Sequence, residues 1–175
     1  RENTRGKRAA KGVTRFDRTT MQCGTTGILI AGDVNNDVPL LHEASDEGRI
    51  AGANAASHPV IHAGLRRAGL GVVFTDPQIA VVGGGFAAVR DMAHVTGEVS
   101  FVNQGRSRVM LRNKGLLHVY ADPVTGHFLG AEMLGPEMEH IGHLLAWALQ
   151  MQLTIEQMLE MPFYHPVIEE GLRTA

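Results

Sequence analysis

Residues 115–134, GLLHVYADPVTGHFLGAEML, constrain the fold of this chain more than any other stretch. Two runs rich in β-branched, aromatic and aliphatic residues flank Asp122-Pro123-Val124-Thr125-Gly126. Proline presets φ for a turn and glycine supplies a left-handed position, so the two runs read as strands of an antiparallel hairpin. Nearby, GVVFT, QIAVVGG and VTGEVSFV read as further strands, with a helical turn around residues 87–92 and a helix over 104–112. EMEHIGHLLAWALQMQ carries its apolar residues at helical spacing, and Thr154 is placed to cap a second helix running through Leu159. A last helix is expected to begin at Pro166. The expected class is therefore α+β, a mostly antiparallel sheet flanked by helices.

The first third of the chain has a different rhythm. GILIAGDV, from Gly27 to Val34, reads as a short apolar strand running into Gly-Asp. In the stretch that follows, Leu40, Leu41, Ala44, Gly48, Ala51, Gly52 and Ala55 recur near helical spacing. Small residues on that face would let the helix backbone approach a neighbour closely. The N-terminus of a helix after such a strand is a place where α/β folds hold phosphates, hydroxyls and carbonyl oxygens. HPVIHAGLRRAGLG, from His58 to Gly71, reads as a joint between domains.

A formal charge of −2 gives no argument for nucleic acid or an anionic membrane as partner. No apolar run approaches the roughly 18 residues that span a bilayer, and RENTRGKRAAKG lacks the apolar core of a secretory signal. Cys23 is the only cysteine, which excludes an internal disulfide framework and suits a reducing, cytoplasmic setting. The chain starts without methionine in a basic stretch, so we expect a piece of a longer protein whose residues 1–12 form a solvated connector.

Several side chains could carry chemistry. Asp33 could accept a ribose or ribityl hydroxyl, or serve only as a helix-side cap. Gly83-Gly84-Gly85 could cradle a phosphate, but no G-x-G-x-x-G or Walker lysine follows, which favours a strand end or bulge. Glu139, His140 and His143 could share one helix face as metal ligands, although no third strong ligand is fixed and a solvated face is favoured. No metal is therefore expected. Cys23 has no Cys-x-x-Cys partner and reads as a plain thiol. His165, before Pro166 and five residues ahead of Glu170, could be half of an acid–base site, with the carboxylate on one ring nitrogen and the other free. It could equally be a helix cap.

Three stretches occur together in a meaningful order: AGDV with PLLHEASDEGRIAG, then VVFTDPQIAVVGG, then HPVIEE. In this the chain resembles the C-terminal part of the flavin-dependent pyridine nucleotide–disulfide oxidoreductases, and among them most the dihydrolipoyl dehydrogenases. The resemblance covers nearly everything after about residue 13. It implies that residues 13–57 are the returning segment of an FAD-binding α/β domain, 58–68 a linker and 69–175 the dimerisation domain. Asp33 matches the aspartate that holds the flavin ribityl chain, and Leu41 and His42 match the helix start whose N–H groups face the flavin pyrimidine oxygen. His165 matches the acid–base histidine and Glu170 the glutamate that orients it. Val167 stands where the family usually has threonine, which removes a hydroxyl but not the dyad.

The resemblance further implies FAD and NAD as cofactors of the full-length enzyme and a homodimer in which the histidine serves the other subunit's flavin and cysteine pair. The implied substrate is a dihydrolipoamide-type dithiol, with a 2-oxo acid dehydrogenase complex as a possible larger assembly. The dinucleotide fingerprint, the redox-active Cys-x4-Cys and the nicotinamide site are not in this chain, so the fragment alone is not expected to be active. Glutathione-reductase-like enzymes and soluble transhydrogenases fit the same boxes, and a non-catalytic dimerisation module is a further alternative.

Overall fold

The structure is a computed structural model that describes residues 14–175, so the basic connector expected over 1–12 lies outside the described residues. The chain divides into two compact units, Arg1–Arg67 and Ala68–Ala175.

The first unit is built on helix α1, Leu41–Ser57, preceded by a single 3-10 turn at Asp33–Asn35. The strand expected over Gly27–Val34 does not form. Residues 21–30 instead fold back on themselves: the Cys23 N–H donates to the Ile28 carbonyl and the Ile30 N–H to the Met21 carbonyl, both at 2.9 Å. A strand needs neighbours on its edges to pair its backbone groups, and here the segment's own preceding residues take them. Ile28 is left 63% exposed.

Helix α1 has one exposed face rich in small residues and one buried polar face. Leu41, Gly48, Gly52 and Ala55 are exposed, while Glu43, Asp46, Glu47, Ile50 and Asn54 are buried. The buried positions keep the i, i+3, i+4, i+7 spacing of a helix face, but most of them are polar. The segment after the helix supplies their partners. Asn54 accepts the His62 N–H at 2.8 Å and donates to the carbonyls of His62 and Thr20, both at 2.9 Å. Arg66 and Arg67 reach back to Glu43, Glu47 and Asp46. Residues 58–67 are therefore packed on the helix by hydrogen bonds and ion pairs.

The second unit is a five-stranded antiparallel sheet. Its strands are β1, Leu70–Val73; β2, Gln78–Val82; β3, Val95–Ser100; β4, Leu116–Ala121; and β5, Phe128–Gly135, in the order β1-β2-β5-β4-β3. The β4–β5 hairpin lies inside the sheet, with Leu117 opposite Met133 and Val119 opposite Ala131. Those four side chains join Ala80, Val82 and Val99 on one face, which is covered by helix α4, Met138–Gln150. Met138, Ile141, Leu145 and Ala148 line the buried side of α4. Gly142 permits the close approach, because a β-carbon there would stand 3.3 Å from that of Ala80. Burying a side chain such as Leu117 completely contributes about 1.5–3 kcal/mol.

The short helices follow local rules. Thr154 caps α5, Ile155–Leu159, in a reciprocal capping box with Gln157. Helix α2 is Gly85–Val89, earlier than the turn expected at 87–92. The three glycines before and at its start have positive φ, and a β-carbon on Gly85 would run into the Glu132 carboxylate and Val81. They make a tight strand-to-helix turn, in keeping with the strand-end reading. Helix α3 is only Gly105–Val109, shorter than 104–112, because Leu111 turns left-handed at φ 57°.

The last helix does not start at Pro166. The His165–Pro166 peptide is cis, Val167 is extended, and a 3-10 turn, Ile168–Glu170, leads into α6, Gly171–Thr174. Glu170 is the third residue of that turn and its carboxylate accepts the Val167 N–H at 3.1 Å. This bond does for the helix start what proline was expected to do, two residues later.

Candidate functional site

His165 and Glu170 come together in the second unit. The imidazole Nδ1 lies 2.9 Å from one carboxylate oxygen of Glu170 and 3.1 Å from the other. An ionised carboxylate only accepts, so Nδ1 carries the hydrogen and Nε2 is the nitrogen left to exchange protons. The hydrogen bond from His165, then that from the Val167 N–H, holds the Glu170 carboxyl below its ordinary range. The His165 side chain is 80% exposed. The loop beneath it is fixed: Ile168 is buried in the core, and Gln104 donates to the Val167 carbonyl at 2.7 Å. Gln104 thus ties the dyad to α3, a link that sequence spacing gave no sign of.

Beside this loop lies an open, mostly apolar cavity of about 790 Å³. Trp147, Met151, Met158, Met161 and Tyr164 are among its lining residues, with Val167 and Glu169 from the dyad loop. Trp147, Met151 and Tyr164 are 65%, 70% and 80% exposed. Such large apolar side chains exposed together mark interaction surfaces.

Asp33, Leu41 and His42 belong to the first unit. Asp33 is exposed at the start of its 3-10 turn. Leu41 and His42 open α1, and no side chain caps that helix. The first amide to bond back is Ala44, to the Leu40 carbonyl at 2.9 Å. The N–H groups of Leu41 and His42 therefore have no partner within the helix. A carboxylate acceptor for hydroxyls and bare helix N–H donors for a carbonyl oxygen fit a flavin's ribityl chain and pyrimidine edge in chemical type.

The remaining candidates are placed as follows. Cys23 is 2% exposed, and burial pushes its thiol pKa up, the opposite of an activated nucleophile. Glu139 and His140 share a cluster with Glu137 whose ligand atoms lie within 4.8 Å of one another, but His143 is not part of it. The His143 Nδ1 turns to the Glu139 carbonyl at 2.6 Å, and Arg112 stands 3.6 Å from Glu137. Sequence reading missed the polar partners Asn35, Glu43, Glu47 and Arg66. The available signal was Glu43 and Glu47 one helical turn apart with an arginine beyond the helix end.

Comparison with known proteins gives consistent matches. Residues 70–175 match the family model described as pyridine nucleotide-disulphide oxidoreductase, dimerisation domain. A dihydrolipoyl dehydrogenase of Haloferax volcanii is 35% identical over 151 residues, which is 85% of this chain and 31% of that protein. The chain thus spans about a third of the length of the curated relatives it matches. Among solved structures, LpdA from Mycobacterium tuberculosis superposes with a TM-score of 0.79 at 24% identity, covering 97% of this chain and 38% of that one. The HOCl-induced flavoprotein disulfide reductase RclA from Escherichia coli gives a TM-score of 0.77 at 20% identity, over 95% of this chain and 39% of that one. These two likenesses concern the fold.

Proposed function

The chain belongs to the pyridine nucleotide-disulphide oxidoreductase family, and on that premise we propose that it is the C-terminal part of a dihydrolipoyl-dehydrogenase-like flavoenzyme. In this reading residues 69–175 form the homodimer interface, and residues 13–57 complete an FAD domain that begins upstream, with 58–68 connecting the two. The observation that carries the proposal is the His165–Glu170 pair, with Nδ1 engaged and Nε2 without a hydrogen-bond partner among the described residues.

His165 Nε2 takes the proton from one thiol of a dihydrolipoamide-type substrate. The resulting thiolate attacks a disulfide supplied by the upstream region, forming a mixed disulfide and releasing one enzyme thiolate. The second substrate thiol then closes the substrate disulfide and leaves the enzyme dithiol. Glu170 keeps the imidazole in the tautomer that can accept, and supports its charged form once it has accepted. Asp33 would accept from ribityl hydroxyls of a bound FAD, and the Leu41 and His42 N–H groups would serve its pyrimidine oxygen. FAD, when bound, supplies the route for the electron pair from the dithiol to NAD. Cytoplasmic location, which a single free cysteine suits, and service to a 2-oxo acid dehydrogenase complex belong to the same reading.

The test is an assay of the full-length protein that carries this chain. It should reduce NAD with dihydrolipoamide as donor. Activity with glutathione disulfide and a nicotinamide reductant instead would move the assignment to a glutathione-reductase-like enzyme. Hydride exchange between nicotinamides without any disulfide activity would point to a transhydrogenase.

A further inference from the structure

Glu47 is a buried carboxylate that the acid–base chemistry does not use. It is 1% exposed, and three donors converge on it. The Gly32 N–H reaches it at 2.7 Å, the Asn35 side-chain amide at 2.6 Å and Arg66 Nη1 at 2.8 Å. Arg66 in turn gives Nη2 to Glu43 at 2.7 Å and lies 3.7 Å from Asp37. Burial alone would raise the Glu47 pKa, but the Arg66, Gly32 and Asn35 hydrogen bonds outweigh it and hold the group below its ordinary value.

Two of the three donors, Gly32 and Asn35, flank Asp33, and the acceptor sits on α1. The carboxylate therefore ties the Asp33 turn to the helix whose N-terminus is bare. Between turn and helix run residues 36–40, which give the turn no regular structure of its own to lean on. Gly32, at φ 79°, brings the turn close enough that a β-carbon there would touch that of Ala44 at 3.6 Å. Removing two charges from water costs several kcal/mol per ion, so a buried pair of this kind is weak as a source of stability. Its geometry, with Glu47 bonded to Gly32 and Asn35 on either side of Asp33 and to Arg66 behind, suits a positioning role.

We propose that the Glu47–Arg66 pair positions the Asp33 turn against the start of α1, so that the Asp33 carboxylate and the Leu41 and His42 N–H groups meet a flavin in a fixed arrangement. The inference rests on the proposed flavin reading. Glu47 and Arg66 do not touch the cofactor; they act through the turn. A purely structural role would lower the melting temperature and leave flavin affinity alone, whereas a positioning role changes affinity and does so only while Asp33 is present to use it.

The experiment is a double-mutant cycle on FAD affinity in the full-length holoenzyme, read by flavin fluorescence after deflavination and by visible circular dichroism. Glu47→Gln keeps the volume and removes the ion pair. It should weaken FAD binding at least about tenfold, a difference of about 1.4 kcal/mol, and alter the flavin dichroism. In an Asp33→Asn background the same change should cost less than about threefold, since residues acting as a unit are not additive. Arg66→Lys, which cannot bridge Glu43 and Glu47 with one planar fork, should repeat the pattern and carries the cycle if Glu47→Gln does not fold. FAD affinity within threefold of wild type in the folded variants, or equal losses with and without Asp33, overturns the inference while leaving the flavoenzyme reading intact. A wild-type protein that binds no FAD overturns both.

Discussion

His165 and Glu170 share a hydrogen bond of 2.9 Å through Nδ1, and the same carboxylate also accepts the Val167 N–H at 3.1 Å. One side chain thus orients the imidazole and caps the 3-10 turn that follows it. The two duties separate by substitution. In the full-length protein, His165→Gln should lower dihydrolipoamide-dependent NAD reduction by about 10²–10⁴, the usual loss for a general base. Glu170→Gln should cost less, because an amide still bonds the ring and only its support of the imidazolium is lost. Steady-state kinetics of both variants give the order. Wild-type turnover in the His165 variant would reduce the pair to a helix cap.

Association is expected through the face around Trp147. A tryptophan 65% exposed beside Met151 and Tyr164 is an anchor in search of a partner surface. Trp147→Glu should convert a dimer to a monomer at micromolar concentration, with the circular dichroism spectrum retained. Sedimentation equilibrium reads this directly, and a wild-type monomer at that concentration would contradict it.

Tyr120 gives a pH signature. Burial, and then the hydrogen bond of its hydroxyl with Glu132, push its pKa from 10.0 up to about 12. The neutral phenol is favoured in the folded state, so its contribution is fully present below pH 10 and fades as pH rises toward 12. At about 1.4 kcal/mol per pKa unit the effect is on the order of 2–3 kcal/mol. The chain has two tyrosines, so absorbance at 295 nm should show a late ionisation that Tyr120→Phe removes.

The cap of α5 should be worth a measurable amount. Thr154 Oγ accepts the Gln157 N–H at 3.2 Å, and the Gln157 side chain accepts the Thr154 N–H at 2.9 Å. Thr154→Ala should lower stability by about 1 kcal/mol, seen as an earlier urea midpoint at unchanged slope.

On the proposed flavoenzyme reading the isolated chain should bind FAD weakly or not at all, since Asp33 and the α1 start would offer one wall of the site and the pyrophosphate cradle would lie in a βαβ unit outside this chain. Titration of FAD into the purified chain checks this, and a stoichiometric yellow product would contradict it.

What the sequence determined by itself was local. The 122–126 turn between two apolar runs specifies the β4–β5 hairpin because turn chemistry and strand pattern act over a few residues. Thr154 with Gln157 specifies a helix start for the same reason, and five residues of spacing suffice to bring Glu170 back to His165. Tertiary structure decided what depends on distant partners. Periodicity of small and apolar residues on α1 could not show that its buried face is polar, since it cannot register that Arg66, 19 residues beyond Glu47, will neutralise a buried carboxylate. GILIAGDV has the composition of a strand but not the neighbours, so its backbone pairs within residues 21–30. Pro166 is compatible with a first helical turn, yet the Glu170 carboxylate reaching the Val167 N–H starts the helix later. In each case the local preference was real and a long-range or competing hydrogen bond outweighed it.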